Sequence, residues 1–256
     1  MKIYFRKQLF RYRLIVMVCL AILCNGYSQS MGVPEEIPVL CYHNIKKQAS
    51  KVTAYTINAD NFEKHIKILS DQGYKSVLPD EVLAQLGGKK ILPSKSVVIS
   101  FDDTRWEHYH IAKAILEKYG FRGTFFIMTV SIGKPGYMTS AEIKKLYDDG
   151  HAVELHTYDH QDMRKLEAKD WNIQVDRAMQ TIQKITGKSP EFLAYPFGVW
   201  NENAIREIKS RGLKGAFQLS GKRHAIYQDY TIRRLLVSGT WSAEKMMKEV
   251  GAAFRK

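Results

Sequence analysis

The sequence predicts an α/β protein, a parallel β-sheet wrapped into a (β/α) barrel of seven or eight units. Three observations predict it. Apolar runs of strand length take turns with capped, amphipathic helical segments seven or eight times after Ile37, the pattern of strands joined by helical crossovers. The number of units and the span 37–256 suit a closed barrel better than an open sheet, although alternation alone fits both. Residues able to do chemistry gather where the apolar runs end, and in a barrel that is the face on which active sites are built.

Residues 1–28 stand apart from this pattern. Lys2, Arg6, Lys7, Arg11 and Arg13 form a basic head without an acid, Leu14 to Cys24 is an unbroken apolar run of eleven, and Gly26 and Ser28 supply small residues. The run is shorter than the roughly 20 residues of a membrane span. Together these features predict a signal peptide over 1–28 with cleavage after Ser28, a short segment over 29–36 and one folded domain over 37–256. The protein is therefore expected to be exported, to a periplasm, a cell surface or the medium. Leu23 before Cys24 is too bulky for lipid attachment at that cysteine. Without the leader, 34 basic residues face 26 acidic ones and Cys41 is the one cysteine left of three. A single thiol forms no internal disulfide. The positive balance suits an anionic envelope surface, and no basic stripe with interleaved aromatics points to nucleic acid.

The elements follow in order. "IPVLCYH" reads as the first strand. "DNFEKHIKILSDQG" reads as a helix with Asp60 and Glu63 as a capping box and Gly73 as its stop. "YKSVL" is a short strand, Asp80 opens a short helix ending at Leu86, and "VVISF" is a third strand. A helix over 106–119 ends at Gly120, and "GTFFIMT" is a strand. Thr139 and Glu142 form a capping box for a helix ending near Gly150. "HAVEL" is a strand, and an amphipathic helix spans 168–186 before Gly187. "EFLAY" is a strand, "NENAIREIKSRG" a helix and "KGAFQL" a strand. "TIRRLLV" is the last strand and "SAEKMMKEVGAAF" the last helix.

Four strand ends carry polar groups. Asp102 and Asp103 follow Phe101, His156 follows "HAVEL" with His160 four residues on, His43 closes the first strand, and Pro196, Phe197 and Gly198 follow "EFLAY". Adjacent residues leaving a strand point different ways, so the two carboxylates can hold different roles. Asp103, His156 and His160 form a donor set that suits Zn²⁺, and also Fe²⁺, Co²⁺ or Ni²⁺, with room for water. Asp102 then stands beside that water as general base. Each signal alone has a plainer reading: two aspartates as a helix cap, or a histidine satisfied by its neighbours. Their convergence on one barrel face favours chemistry. His108 and His110 are expected on the following helix and outside the site. His65, His151 and His224 are expected to be structural or exposed, and Cys41 buried and inert.

These motifs resemble those of the polysaccharide deacetylases with a NodB-homology domain, carbohydrate esterase family 4. "SFDD" resembles the first motif of that family, "HTYDH" the second and "AYPFG" the third, and "GFRGTFFIM" runs as the family does between motifs. The likeness extends from "IPVLCYHNI" to "RRLLVSG". It implies a distorted (β/α) barrel and metal-dependent removal of N-acetyl groups from an acetylated amino-sugar polysaccharide. It assigns Asp103, His156 and His160 as metal ligands and Asp102 as base, and adds that the N–H near Phe197 helps hold the oxyanion. Three departures stand out: Thr104 replaces a glycine, Ala194 replaces an arginine that orients the base, and a late Leu-x-His motif is missing. The chain ends resemble a permuted branch, the exported poly-N-acetylglucosamine deacetylases. That likeness implies His43 as the general acid and Arg234 as the arginine that steadies Asp102. Two other functions remain open at this point, an O-acetyl esterase on xylan-like glycans and an inactive metal-containing glycan-binding protein.

Overall fold

Nine parallel strands share one sheet in the computed structural model, which describes residues 36–219 and 221–254. The expected signal peptide lies outside the described residues. The strands are β1 (Val39–Tyr42), β4 (Lys75–Ser76), β5 (Ser96–Phe101), β6 (Thr124–Ile127), β7 (Ala152–Leu155), β8 (Phe192–Ala194), β9 (Gly215–Gln218), β10 (Ile232–Arg233) and β11 (Leu235–Leu236). A separate parallel pair, β2 (Asn44–Lys46) and β3 (Thr56–Asn58), was not legible as strand. Eight strands lie in the order β10-β9-β8-β7-β6-β5-β1-β11, and β4 pairs with the start of β5.

β10 and β11 form the two outer edges of this order, yet only Arg234 separates them in the chain. The expected single strand "TIRRLLV" therefore splits. Its first half pairs with β9 and its second with β1. The Arg234 N–H still bonds Gln218 O at 3.0 Å, and the Val237 N–H bonds Cys41 O at 3.0 Å. One strand changing partners at one residue brings the two edges together, so the sheet is a nearly closed barrel.

Alternation along the strands sorts the core into two layers. Val39, Val98, Phe126, Phe192, Phe217 and Ile232 pack with one another. Leu40, Ile99, Phe125, Leu155, Leu193 and Ala216 lie on the other face, under the helices. Strands buried on both faces read as continuous apolar runs, which is why they stood out in the sequence.

The helices are α1 (Ala59–Asp71), α2 (Pro79–Leu86), α3 (Ala114–Lys118), α4 (Ser140–Asp148), α5 (Ala178–Thr186), α6 (Glu202–Ser210) and α7 (Ala243–Phe254). The box at Thr139 and Glu142 forms: the Glu142 carboxylate accepts the Thr139 N–H at 2.7 Å, and Thr139 Oγ1 accepts the Glu142 N–H at 3.3 Å. The box expected at Asp60 and Glu63 does not form. α1 starts after Asn58, and Glu63 instead accepts from Lys118 Nζ at 2.5 Å and Tyr119 Oη at 2.9 Å. α2 opens at Pro79 rather than Asp80, with Glu81 accepting the Leu78 N–H at 3.0 Å. The helix expected from residue 168 begins only at Trp171, because the Asp170 carboxylate accepts the Glu167 N–H at 2.8 Å and closes a turn there. Before α3 and α5 the chain forms wider π-helical turns, His108–Lys113 and Asn172–Arg177.

Candidate active site

β5 delivers both aspartates. The Asp102 N–H continues the ladder to Tyr42 O at 3.1 Å, and the Asp102 side chain is buried. Asp103 and Thr104 then take left-handed backbone angles, φ 77° and 61°, a conformation that costs a non-glycine residue of order 1–3 kcal/mol. Thr104 offsets this with its hydroxyl, which accepts the Met128 N–H at 2.7 Å. The turn sends the two carboxylates apart, Asp102 inward and Asp103 toward the opening.

β7 delivers the histidines. The His156 N–H bonds Ile127 O at 2.9 Å, and its ring Nδ1 donates to Ala194 O at 2.8 Å. That bond leaves Nε2 unprotonated and free to act as a ligand. Burial lowers the His156 pKa, which keeps the ring neutral. Nε2 is buried without a hydrogen-bond partner. It lies 3.6 Å from Asp103 Oδ1, and His160 Nε2 lies 3.8 Å from the same oxygen. A tetrahedral ion with bonds of about 2.0–2.2 Å separates its donors by roughly 3.3–3.6 Å. An orphaned buried nitrogen facing a carboxylate and a second imidazole at this spacing fits a divalent cation.

Asp102 has a different environment. Arg234 Nη1 donates to Oδ1 at 2.7 Å and Nη2 to Oδ2 at 2.9 Å, a bidentate pair with both side chains buried. Burial alone would raise the Asp102 pKa; the guanidinium overrides it and holds the carboxyl well below the usual range, so Asp102 is ionised. His43 Nε2 stands 4.0 Å and His156 Nε2 3.9 Å from Oδ2. Cys41 Sγ also reaches Oδ2, at 3.6 Å. Cys41, His43 and Asp102 thus form a second compact donor set, but the guanidinium already occupies both Asp102 oxygens, and its charge disfavours an ion there. Burial pushes the Cys41 thiol up, so it stays protonated and donates.

The remaining expected residues fall as follows. Phe197 has φ 61°, is 60% exposed, and sets its ring 4.6 Å from that of His160. His110 stays outside the cluster, paired with Glu142 and stacked 4.0 Å from Trp106. His65 bridges Tyr42 Oη and Trp241 O, His151 accepts the Gly123 N–H, and His224 accepts backbone N–H groups of Ile226 and Tyr227. His108 matters more than its helical position implied. It is buried, and its Nε2 donates to His43 O at 2.6 Å, which ties the candidate acid to the turn after β5. The contact of Cys41 with Asp102 was also missed. Its signal was available, because residues two apart on a strand share a face and Cys41 lies two before His43.

Residues 89–216 match the family model described as polysaccharide deacetylase. YxkH of Bacillus subtilis, provisionally assigned as a polysaccharide deacetylase, is 28% identical over 206 residues, 80% of this chain and 72% of its own. A poly-β-1,6-N-acetyl-D-glucosamine N-deacetylase of Staphylococcus aureus is 29% identical over 226 residues, 78% of each chain. Among solved structures, the Streptococcus pyogenes deacetylase PplD in complex with acetate superposes with a TM-score of 0.77 at 22% identity, covering 84% of this chain and 98% of that one. IcaB from Ammonifex degensii superposes at 0.71 with 23% identity, covering 85% and 96%. These two likenesses speak for the fold.

Proposed function

The chain belongs to the polysaccharide deacetylase family, and from that premise we propose that it removes N-acetyl groups from an N-acetylglucosamine polymer with the help of a bound Zn²⁺. The observation that carries this reading is the ionised Asp102, clamped by Arg234 beside three convergent donors. Asp103, His156 and His160 would hold the ion. When bound, such an ion lowers the pKa of a water and polarises a carbonyl. The relative that acts on poly-β-1,6-N-acetyl-D-glucosamine makes that polymer the first substrate to try.

In this reading the protein's own groups divide the proton transfers. Asp102 accepts a proton from the attacking water, and Arg234 fixes the orientation of its carboxylate. His43, tethered through its carbonyl to His108, gives a proton to the departing amine. The N–H near Phe197, in the turn after β8, would donate to the oxygen on which charge develops. Products are acetate and a free amino sugar. Ala194 does not deprive the base of an arginine, since Arg234 supplies one from the opposite side of the sequence, and this weighs against an inactive glycan-binding protein. An exported location, expected from the basic and apolar leader, would bring the enzyme to such a polymer.

The test is release of acetate from poly-β-1,6-N-acetylglucosamine, chitooligosaccharides and peptidoglycan, with Zn²⁺ or Co²⁺ supplied. The expected result is a free amine in step with acetate, abolished by a chelator and restored by metal. Acetate released with a new hydroxyl, from an O-acetylated xylan alone, would replace this reading with the esterase. No acetate from any of them would remove it.

A further inference from the structure

The loop that carries His156 and His160 is strained and held from outside. Thr157 and His160 both take left-handed angles, φ 61° and 67°. Without restraint a segment with two such residues would relax. Three neighbours and one internal bond restrain it. The Thr129 N–H bonds Thr157 O at 3.2 Å and the Val130 N–H bonds Tyr158 O at 2.8 Å, while within the loop the His160 N–H bonds Thr157 Oγ1 at 3.1 Å. The third neighbour is Gln174, whose Nε2 donates to Asp159 Oδ1 at 2.7 Å and whose Oε1 accepts the Asp159 N–H at 3.5 Å.

Gln174 is an unusual choice for a position that is 2% exposed, since a buried amide is costly unless its hydrogen bonds are made. Asp159 is the reverse, an exposed residue of the loop. Gln174 sits in the π-helical turn Asn172–Arg177, and π-turns inside helices are rare and frequent at functional sites. From the same turn, the Arg177 guanidinium lies 5.5 Å over the Tyr158 ring. One helical irregularity thus grips Tyr158 and Asp159, two of the three residues between the histidines.

We propose that Gln174 is a positioning residue for His160, and that it sets how tightly the Asp103–His156–His160 set holds its cation rather than how fast the bound enzyme turns over. This rests on the reading of that set as a metal site. Groups that orient a metal ligand are worth about 10–100-fold in metal affinity.

The experiment measures Zn²⁺ and Co²⁺ affinity of the metal-free protein by competition with a chelating dye, for the wild type, Gln174→Ala, Asp159→Ala and the double variant. Gln174→Ala is expected to weaken binding about tenfold or more while kcat at saturating metal changes by less than about twofold. Asp159→Ala should weaken binding similarly, and the double variant should lose no more than the larger single loss, because the two act as one clamp. Should Gln174→Ala fail to fold, Asp159→Ala, altered at the exposed side of the pair, decides the matter alone. Wild-type affinity in Asp159→Ala, or a loss of kcat with affinity unchanged in Gln174→Ala, overturns the proposal. A wild-type protein that binds neither ion overturns the metal site itself.

Discussion

Arg234 and Asp102 are 132 residues apart and meet with four polar atoms paired and no solvent between them. A buried ion pair gains little over an apolar pair, because desolvation offsets the attraction, but removing one partner strands the other charge at a cost of about 3–5 kcal/mol. Arg234→Met is therefore expected to lower unfolding free energy by about that amount, read from urea midpoints. The Arg234→Met/Asp102→Asn double variant should recover much of the loss, since no lone charge remains. A single variant costing under about 1 kcal/mol would place the pair among the weak surface bridges. Asp102→Asn alone tests the chemistry. It should keep the ion, by dye competition, and lose about 10²–10⁴-fold in kcat, the usual worth of a general base. Full turnover in the purified variant would take the base away from Asp102.

The elements show which parts of this were legible in the sequence. The Thr139–Glu142 cap is local, spaced three residues apart, and it formed as expected. The Asp60–Glu63 spacing is the same, but Glu63 found Lys118 and Tyr119 across the fold, and no local rule contains that contact. The π-turn at Asn172–Arg177 was hidden because its residues keep a helical polarity pattern. The strand ends were legible because a barrel gathers them on one face whatever the side chains between them. Gln174 and His108 were not, because their roles depend on packing contacts rather than on position along a strand. The turn after β8 makes the same point at Gly198. It has φ 70°, and an added Cβ would lie 2.3 Å from Leu219 Cβ. Gly198→Ala should then cost at least about 1–3 kcal/mol in strain and overpacking. Because that turn carries Phe197, activity should fall further than the loss of folded protein explains, measured as kcat per folded molecule. An Ala variant with wild-type melting and wild-type kcat would show the turn to be looser than its contacts imply.

Across the whole molecule, stability rests on the packed core, since the cysteine in the described residues is the free thiol of Cys41. Its pH dependence then follows from buried groups. Glu154, on β7 opposite Phe126, lines a cavity of about 280 Å³ with Leu78, Tyr147, Lys188 and Phe192. Its Oε2 accepts the N–H groups of Glu191 and Phe192 at 2.8 and 2.9 Å. Burial outweighs those bonds and pushes its pKa from 4.5 up to about 8. The folded protein therefore keeps a proton that the unfolded chain has lost, so stability falls as pH rises from about 4.5 to 8, by at most about 1.4 kcal/mol per unit. The buried histidines act in the other direction. Burial lowers the pKa of His43, His65, His151, His156 and His108, the last to about 4. The unfolded chain binds those protons first, so stability falls as pH drops below about 6.5. Together the histidines oppose Glu154 below that point, and Glu154 acts above it, which puts the maximum near neutral pH. Glu154→Gln should erase the decline between pH 6.5 and 8 and leave the acid limb unchanged, read as melting temperature against pH in metal-free protein. A wild-type curve that is already flat from pH 6.5 to 8 would mean that Glu154 is ionised in the fold, with a cation or solvent in the cavity beside it.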